Sequence, residues 1–205
     1  MPAPTSLEDR AAARRAALVE AGVELLGTAG AGGVTVRAVC RGAKLTERYF
    51  YESFPDGRDG LLRAVHAQVA GEARAAIVAA IAAVPSPPGA PEDVAAAAVT
   101  AFTAFLEADP RRGRVLLSES FSDSVLAQHD LELLPAFAAL LVEQMRVLPD
   151  PPDEVDAQLA AVALLGALRT MYLTWLEGGD PPIATERLNA HATKLIIAAA
   201  GVRSR

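Results

Sequence analysis

A polar and aromatic cluster occupies residues 46–51, where the sequence reads Thr-Glu-Arg-Tyr-Phe-Tyr. Two of the three tyrosines of the chain fall in this short segment. Hydroxyl and guanidinium groups at the N-terminal end of a helix can hydrogen-bond to base edges and phosphates when that end enters the major groove of DNA. A tyrosine pair on an amphipathic helix is also common in ordinary packing, so the neighbouring elements must decide between the two interpretations.

The helix that carries this cluster is predicted to begin after Thr46 as its N-cap and to end near Phe54. Phe50 and Phe54 are four residues apart and share one face, so we expect both rings in the core. Tyr49 and Tyr51 lie about 100° to either side of Phe50. Each tyrosine ring would therefore rest on the edge of the core and present its hydroxyl to solvent.

Two more helices are predicted before this one. The first spans residues 7–29 and is ended by the glycines at positions 30, 32 and 33. Thr35 is expected to cap a second, short helix that runs to about Arg41, and a turn at residues 42–45 leads to the third helix. A short helix, a short turn and a helix with exposed polar groups predict a helix-turn-helix, a DNA-binding motif.

The charge of the chain is unevenly distributed. The net charge of −6 argues, taken alone, against a nucleic-acid partner, because phosphates are neutralised by clustered Lys and Arg. Residues 1–70 carry a net charge of +1, however, and residues 71–205 carry −7. The acidity belongs to the C-terminal part, which leaves the N-terminal part able to meet an anion.

The whole chain reads as all-α, with about nine helices and almost no strand signal. A proline-rich stretch at 85–91 is predicted to end the fourth helix, which begins near Arg58. Further helices are expected at about 92–108, 111–119, 122–148, 153–177 and 185–200. Pro135 falls inside a periodic stretch and must either kink it or begin a new helix.

No charge-free run reaches the roughly 20 apolar residues of a membrane span, and no secretory signal is recognised, so a cytoplasmic protein is expected.

Catalytic and metal-binding patterns are not found. His66, His129 and His191 are scattered, and neither a zinc-protease motif nor a nucleophile-elbow motif occurs. Cys40, the single cysteine, lies at an apolar position where a buried thiol is expected. We therefore expect no enzyme, no cofactor and no metal site. A small helical enzyme would need a polar catalytic cluster, which the sequence does not offer.

Residues 15–65 as a whole resemble the N-terminal signature of the bacterial TetR-type transcriptional regulators. The resemblance is carried by "RAALVEAGVELL", "GGVTVRAVCRGAKL", "TERYFYESF" and "RDGLLRAV". It implies a homodimer with an N-terminal helix-turn-helix DNA-binding domain, residues 1–57, and a helical-bundle effector-binding and dimerisation domain, residues 58–205. A helix at about 58–84 would link the two domains.

The resemblance also implies DNA contacts at particular positions. Base or phosphate contacts are implied for Thr46, Glu47, Arg48 and Tyr49, and phosphate contacts for Thr35, Tyr51 and Arg58, with Lys44 in the turn. Lys44 stands where the family usually has glycine, and a positive φ there would cost about 1 kcal/mol. The loop before Arg58 is one residue longer than usual, which weakens the case for a phosphate contact there. Arg10, Arg14 and Arg15 on the first helix are weaker candidates, since exposed arginines are usually only solvated.

Beyond residue 70 the resemblance extends only to the architecture, so the expectations for this part rest on the residue pattern. The helix at 153–177 carries two apolar stripes, one through Val155, Leu159 and Val162, and therefore needs two partners. With the last helix it is expected to form a homodimer interface. The bulky and polar groups that would line an effector pocket for a small lipophilic molecule are Phe102, Phe105, Phe121, His129, Phe137, Leu141, Arg169, Tyr172 and Trp175. Taken singly, each of these side chains is more often part of a solid core.

The residue pattern predicts a DNA-binding protein, and the resemblance to the TetR-type family implies a transcriptional regulator. The most specific form of this prediction is a repressor that binds a pseudo-palindromic operator as a dimer and is released by its effector. The alternative is a helical ligand-binding or scaffold protein whose N-terminal domain engages a protein partner.

Overall fold

The computed structural model describes residues 6–85, 91–178 and 180–201, and all regular structure in these ranges is helical. The predicted proline stop at 85–91 lies, except for its two end residues, outside the described residues. The nine α-helices of the described ranges are α1 (Leu7–Ala29), α2 (Val36–Ala43), α3 (Glu47–Ser53), α4 (Gly57–Ala82), α5 (Pro91–Ala108), α6 (Pro110–Gly113), α7 (Ser124–Arg146), α8 (Glu154–Glu177) and α9 (Thr185–Ala199). The all-α prediction is confirmed.

The chain forms two compact units that alternate along the sequence. The first unit contains the residues up to Val69 together with Pro110–Asp130, and the second contains Ala70–Asp109 and the residues from Leu131 onward. Helix α4 contributes its first half to the first unit and its second half to the second. The predicted functional division into residues 1–57 and 58–205 is a separate matter and stays a prediction.

The start and end of α1 follow from local chemistry. Ser6 accepts a hydrogen bond of 2.9 Å from the backbone amide of Asp9, whose carboxylate accepts a 2.9 Å bond from the amide of Ser6, which is a capping box. The helix ends at Gly30, whose φ of 73° lies in the region that favours glycine. Leu18 and Leu26 of α1 are fully buried and anchor the core of the first unit.

The segment predicted as one helix at 111–119 is less regular than expected. Only Pro110–Gly113 is α-helical, Arg114–Ser118 forms a π-helical turn, and Glu119–Phe121 a 3-10 turn. Val115, Leu116 and Leu117 are all buried, although consecutive residues of an α-helix point 100° apart. The π-helical turn, which is wider than an α-helical turn, contains all three of these buried residues.

Helix α6 approaches α1 closely at Gly27. An added Cβ there would lie 2.4 Å from the Cβ of Arg111, so only glycine allows this approach.

Pro135 lies inside α7, which continues on both sides of it. The question left open by the sequence is therefore answered in favour of one helix. Pro135 cannot donate a hydrogen bond to the carbonyl of Leu131, one turn before it. Both residues are exposed, so water can satisfy the freed carbonyl.

The second unit is built from the second half of α4, from α5, from the part of α7 that begins at Leu131, and from α8 and α9. Helix α9 packs against both α5 and α8, and one core cluster is formed by Val142, Met145, Ala157 and Ala161. The most apolar 18-residue stretches of α7 and α8 reach mean hydropathies of 1.4 and 1.5, yet only 11% and 17% of them are buried. By length and composition alone both helices could cross a membrane, a test that core helices of soluble proteins also pass. This property was not recognised in the sequence.

Candidate nucleic-acid interface

The aromatic residues of α3 and its C-cap divide into a buried pair and a more exposed pair. Phe50 is fully buried and Phe54 is nearly so, with their ring centroids 5.6 Å apart. Tyr49 is half-buried and Tyr51 is 52% exposed, with its ring edge-on to Phe50. The prediction that the phenylalanines are core and the tyrosines lie at its edge is confirmed. Helix α3 is therefore fixed by its phenylalanines and presents its tyrosine hydroxyls outside the core.

Thr46 occupies the N-cap position of α3 with extended backbone, at φ −84° and ψ 157°. Its hydroxyl makes no capping hydrogen bond, which corrects the prediction that this side chain caps the helix. Within the described part of the chain, the hydroxyls of Thr46, Tyr49 and Tyr51 make no hydrogen bond to another residue. Three hydroxyls thus lie at or beside the first turns of α3 without a protein partner among the described residues.

The turn between α2 and α3 is held by Lys44 in the left-handed region, with φ 55° and ψ 39°. The backbone amide of Leu45 donates a 2.9 Å hydrogen bond to the carbonyl of Cys40 and closes the turn. A positive φ at Lys44, which the sequence raised only as a condition, is present in the structure. This conformation costs about 1 kcal/mol for a side chain other than glycine. At the other end of α2, Thr35 caps the helix as predicted, accepting a 3.2 Å hydrogen bond from the amide of Ala38.

The charged residues of α3 form ion pairs at the surface. Arg48 donates a 2.9 Å hydrogen bond to Glu52, and this bond raises the pKa of the guanidinium. Glu47 lies 3.7 Å from Arg37 of α2. Both pairs lie at the surface, where solvent screens the attraction, so each adds little to stability.

Arg58 is placed differently from the rest of the predicted interface. Its guanidinium donates hydrogen bonds of 2.7 Å to the carbonyl of Ala31, 3.0 Å to that of Val34 and 3.0 Å to the carboxylate of Asp123. Asp123 also accepts a 3.0 Å hydrogen bond from the amide of Val125 at the start of α7. The structure therefore gives Arg58 a set of partners inside the first unit, which the sequence did not indicate.

Two arginines of α1 lie over aromatic rings of the α3 region. The guanidinium carbon of Arg14 is 4.5 Å from the ring centroid of Tyr49, and that of Arg15 is 5.0 Å from the ring centroid of Phe54. Both distances fall within the range of cation–π interactions. The sequence marked these arginines only as weak DNA contacts, because a contact between separate helices leaves no periodic signal along the chain.

The side chains predicted to line an effector pocket are divided between the two units. Phe121, which is largely exposed, and His129 belong to the first unit. Those in the second unit are Phe102, Phe105, Phe137, Leu141, Arg169, Tyr172 and Trp175. Among them, the Tyr172 ring lies edge-on to Phe102 at 4.9 Å and to Trp175 at 6.2 Å. Direct ring contacts thus join these three members of the predicted set in one row.

A buried polar group accompanies these rings. The hydroxyl of Tyr172 lies 2.8 Å from that of Thr103, which donates a 2.6 Å hydrogen bond to the side-chain carbonyl of Asn189. Burial raises the pKa of the Tyr172 phenol, and the hydrogen bond with Thr103 partly offsets this effect. Thr103 and Asn189 were missed, since single polar residues on three different helices carry no joint pattern. The arrangement offers hydrogen bonding within an otherwise apolar bundle.

Similarity to known proteins is found first in the helix-turn-helix region. Residues 18–65, which run from α1 through the helix-turn-helix into α4, match the family "Bacterial regulatory proteins, tetR family". This segment is identified as a tetR-type DNA-binding region. The matched residues include the whole candidate interface from Thr35 to Arg58, so this surface is the helix-turn-helix of a TetR-type transcription regulator.

Solved structures extend the likeness of fold to at least 90% of the chain. A TetR-family regulator from Rhodococcus sp. superposes with a TM-score of 0.72 at 18% identity, covering 92% of this chain and 99% of that one. The regulator FadR from Bacillus subtilis, in complex with stearoyl-CoA, gives 0.74 at 16%, covering 90% and 98%. The multidrug binding protein EbrR, complexed with imidazole, gives 0.66 at 22%, covering 95% and 97%. At these identities the likeness establishes the fold. Among curated proteins, none matches the sequence.

Proposed function

We propose that this TetR-type chain is a transcriptional repressor that binds a pseudo-palindromic operator as a homodimer and is released by a small lipophilic effector. In this proposal residues 1–57 bind DNA, residues 58–205 bind the effector and dimerise, and the protein acts in the cytoplasm. The observation that carries the proposal is the exposed end of α3. There, three hydroxyls lacking hydrogen bonds within the described residues are presented by a tetR-type helix-turn-helix.

The side chains of the interface that are not ion-paired are assigned the following contacts to DNA. Thr46 and Tyr49 contact base edges or the adjacent phosphates, and Tyr51, the more exposed tyrosine, contacts a phosphate. Lys44, in the turn before α3, places its ammonium group near a phosphate. Thr35 lies at the start of α2, where free backbone amides and the helix dipole favour a phosphate.

The ion-paired residues take part by exchange. Glu47 and Arg48 give up their surface pairs with Arg37 and Glu52 when DNA binds. Arg58 is the least favoured phosphate contact, because its guanidinium already donates to two carbonyls and a carboxylate.

The proposed dimer rests on an apolar stripe of α8. Val155, Leu159 and Val162 are 66%, 65% and 49% exposed in the single chain. The opposite face of the same helix is buried at Ala161 and Tyr172. A helix with one apolar face packed and the other in solvent requires a second partner, and a second copy also supplies the second half-site reader. Helices α8 and α9 of each protomer would form this interface.

The proposed effector binds the second unit near the ring row of Phe102, Tyr172 and Trp175. Aromatic walls with a few convergent polar groups suit a largely apolar ligand, and the hydroxyls of Tyr172 and Thr103 supply such groups. The fold neighbours complexed with stearoyl-CoA and with imidazole are consistent with a ligand-binding body in this fold. Effector binding would favour a dimer whose recognition helices no longer match the roughly 34 Å of one DNA turn.

The DNA-binding part is tested by offering the protein random-sequence duplexes and sequencing those that it retains. A repressor of this kind should enrich two inverted half-sites, and affinity for the enriched duplex should fall steeply with salt. Tyr49→Ala and Arg48→Ala should each weaken that affinity. Unchanged affinity in both variants would reject α3 as the reader. A scaffold protein would enrich no sequence at all.

The effector part is tested by adding stearoyl-CoA to the complex with the enriched duplex, with free coenzyme A as the control. Release by the acyl-CoA alone would support a lipophilic effector. If neither compound releases the DNA, the same assay is repeated with a panel of apolar compounds. A panel without any active member would argue against the effector part and leave DNA binding standing.

A further inference from the structure

The contact between Arg14 and Tyr49 joins α1 directly to the proposed DNA-reading helix. The guanidinium carbon lies 4.5 Å from the ring centroid, and both side chains are partly buried. Among the described residues, no carboxylate pairs with Arg14 and no acceptor hydrogen-bonds to it. The ring of Tyr49 is therefore the principal partner of this cation within the described part of the chain.

The neighbouring arginine offers an internal comparison. Arg15 lies 5.0 Å from the ring centroid of Phe54, which is almost fully buried and whose side chain has no polar atom. The contact of Arg15 can only cover the core. Arg14, in contrast, covers a ring whose hydroxyl lies at the proposed interface. The two adjacent arginines thus make similar contacts, but only that of Arg14 can orient a polar group.

A guanidinium over the face of a ring restricts the rotation of that ring. The planar group fits the face of an aromatic side chain, and its N–H donors lie in its own plane. Fixing a side chain before binding reduces the entropy lost when it meets its partner. The geometry thus fits a device that holds the Tyr49 hydroxyl in place before DNA arrives.

We propose that Arg14 is a positioning residue for DNA recognition, which orients the ring of Tyr49 so that the hydroxyl meets the DNA. This inference rests on the proposed function, because it requires that α3 reads DNA. It assigns Arg14 an effect on affinity that passes through Tyr49. It differs from the effect of an arginine that contacts a phosphate on its own.

The test is a double-mutant cycle on binding to the duplex enriched by the wild-type protein. Arg14→Ala should weaken binding about tenfold, because in each of the two protomers the Tyr49 side chain would then have to be ordered when DNA binds. In a Tyr49→Phe background, which keeps the ring and removes the hydroxyl, Arg14→Ala should change affinity less than about twofold, because no hydroxyl remains to be positioned. The thermal stability should respond to Arg14→Ala equally in both backgrounds, because the ring contact is present in both.

Salt dependence separates positioning from a direct phosphate contact. A positioning residue leaves the slope of log K against log salt unchanged, whereas removing one phosphate contact reduces its magnitude by about 0.9. Arg15→Ala is the matched control and should lower stability with little loss of affinity. Equal losses of affinity in the wild-type and Tyr49→Phe backgrounds, or a reduced slope for Arg14→Ala, would overturn the inference while leaving DNA binding intact. A wild-type protein that enriches no duplex would overturn both proposals.

Discussion

The carboxylate of Glu119 accepts a hydrogen bond of 2.7 Å from the backbone amide of Ala31, 88 residues earlier in the chain. The same carboxylate accepts a 2.8 Å hydrogen bond from Arg114, which also donates to the carbonyl of Thr28. Glu119 is buried, and both bonds lie within the first unit. A residue far along the sequence therefore supplies the acceptor for the first amide of the 3-10 turn at Ala31–Gly33, a donor that the start of a helical turn leaves without a partner.

Removal of this carboxylate is expected to destabilise the protein. Glu119→Ala leaves the amide of Ala31 without its acceptor in a buried place, and we expect a loss of about 2–3 kcal/mol in the free energy of unfolding, measured by urea denaturation. Glu24→Ala is the control, because Glu24 pairs with Arg111 at the surface and should cost about 0–1 kcal/mol. Equal losses in the two variants would contradict this role of Glu119.

Arg58 is expected to act on stability rather than on the salt dependence of DNA binding. Arg58→Ala removes donors to two carbonyls and to Asp123, and since the side chain is 34% exposed we expect a loss of about 1–2 kcal/mol. Arg63→Ala, which breaks a more exposed pair with Asp56, should cost about 0–1 kcal/mol, as surface pairs do. A salt slope reduced by Arg58→Ala would instead restore the phosphate contact that the sequence implied.

Replacement of Lys44 by glycine should separate strain from charge. Lys44→Gly removes the cost of a left-handed residue and is expected to raise the free energy of unfolding by up to about 1 kcal/mol. It should also lower affinity for the enriched duplex, with a salt slope smaller by about 0.9 if Lys44 neutralises one phosphate. Lys44→Ala removes the same charge and keeps the strain, so it should lose affinity without gaining stability. A glycine variant no more stable than the alanine variant would show that the turn is not strained.

The exposed stripe of α8 predicts the effect of a charge at Leu159. Leu159→Glu would place two carboxylates in the proposed interface, and we expect the dimer to weaken by at least about 3 kcal/mol, or roughly a hundredfold in dissociation constant. Sedimentation at several concentrations measures this change. Leu131→Glu on α7 is the matched control, because Leu131 is 69% exposed against 65% for Leu159. A dimer that survives Leu159→Glu and dissociates with Leu131→Glu would relocate the interface to α7.

The thiol of Cys40 is expected to make the stability of the protein depend on pH. Burial, with a further contribution from the charge of Glu47, raises the pKa of its thiol. The contribution of this thiol to stability is therefore complete below the unfolded pKa of about 8.5 and is lost as the pH rises through the folded value. The urea midpoint of the wild type should fall more between about pH 7 and pH 10 than that of Cys40→Ala. Parallel pH curves for the two proteins would contradict the shift.

The sequence predicted the parts of the fold that depend on neighbouring residues. The capping role of Thr35 and the burial of Phe50 and Phe54 follow from local patterns, and the structure confirms them. Thr46 shows the limit of such reasoning, because the residue type of a cap does not ensure that its hydroxyl makes the bond.

Contacts between distant segments were beyond the reach of sequence patterns. Nothing in the local pattern around Arg14 distinguishes a solvated arginine from one that lies over Tyr49. The irregular turns at Arg114–Ser118 were likewise predicted as regular helix, because periodicity cannot register the π-helical turn seen there. The position of Arg58 among three acceptors depends on residues up to 65 positions away.

The membership of Pro110–Asp130 in the first unit affects how such regulators can be recombined. A chimaera made by joining residues up to Val69 to the body of another regulator would leave behind Glu119, Arg114 and Asp123. Grafting the proposed operator preference onto the body of a different regulator therefore requires transplanting two separated stretches of chain as one piece.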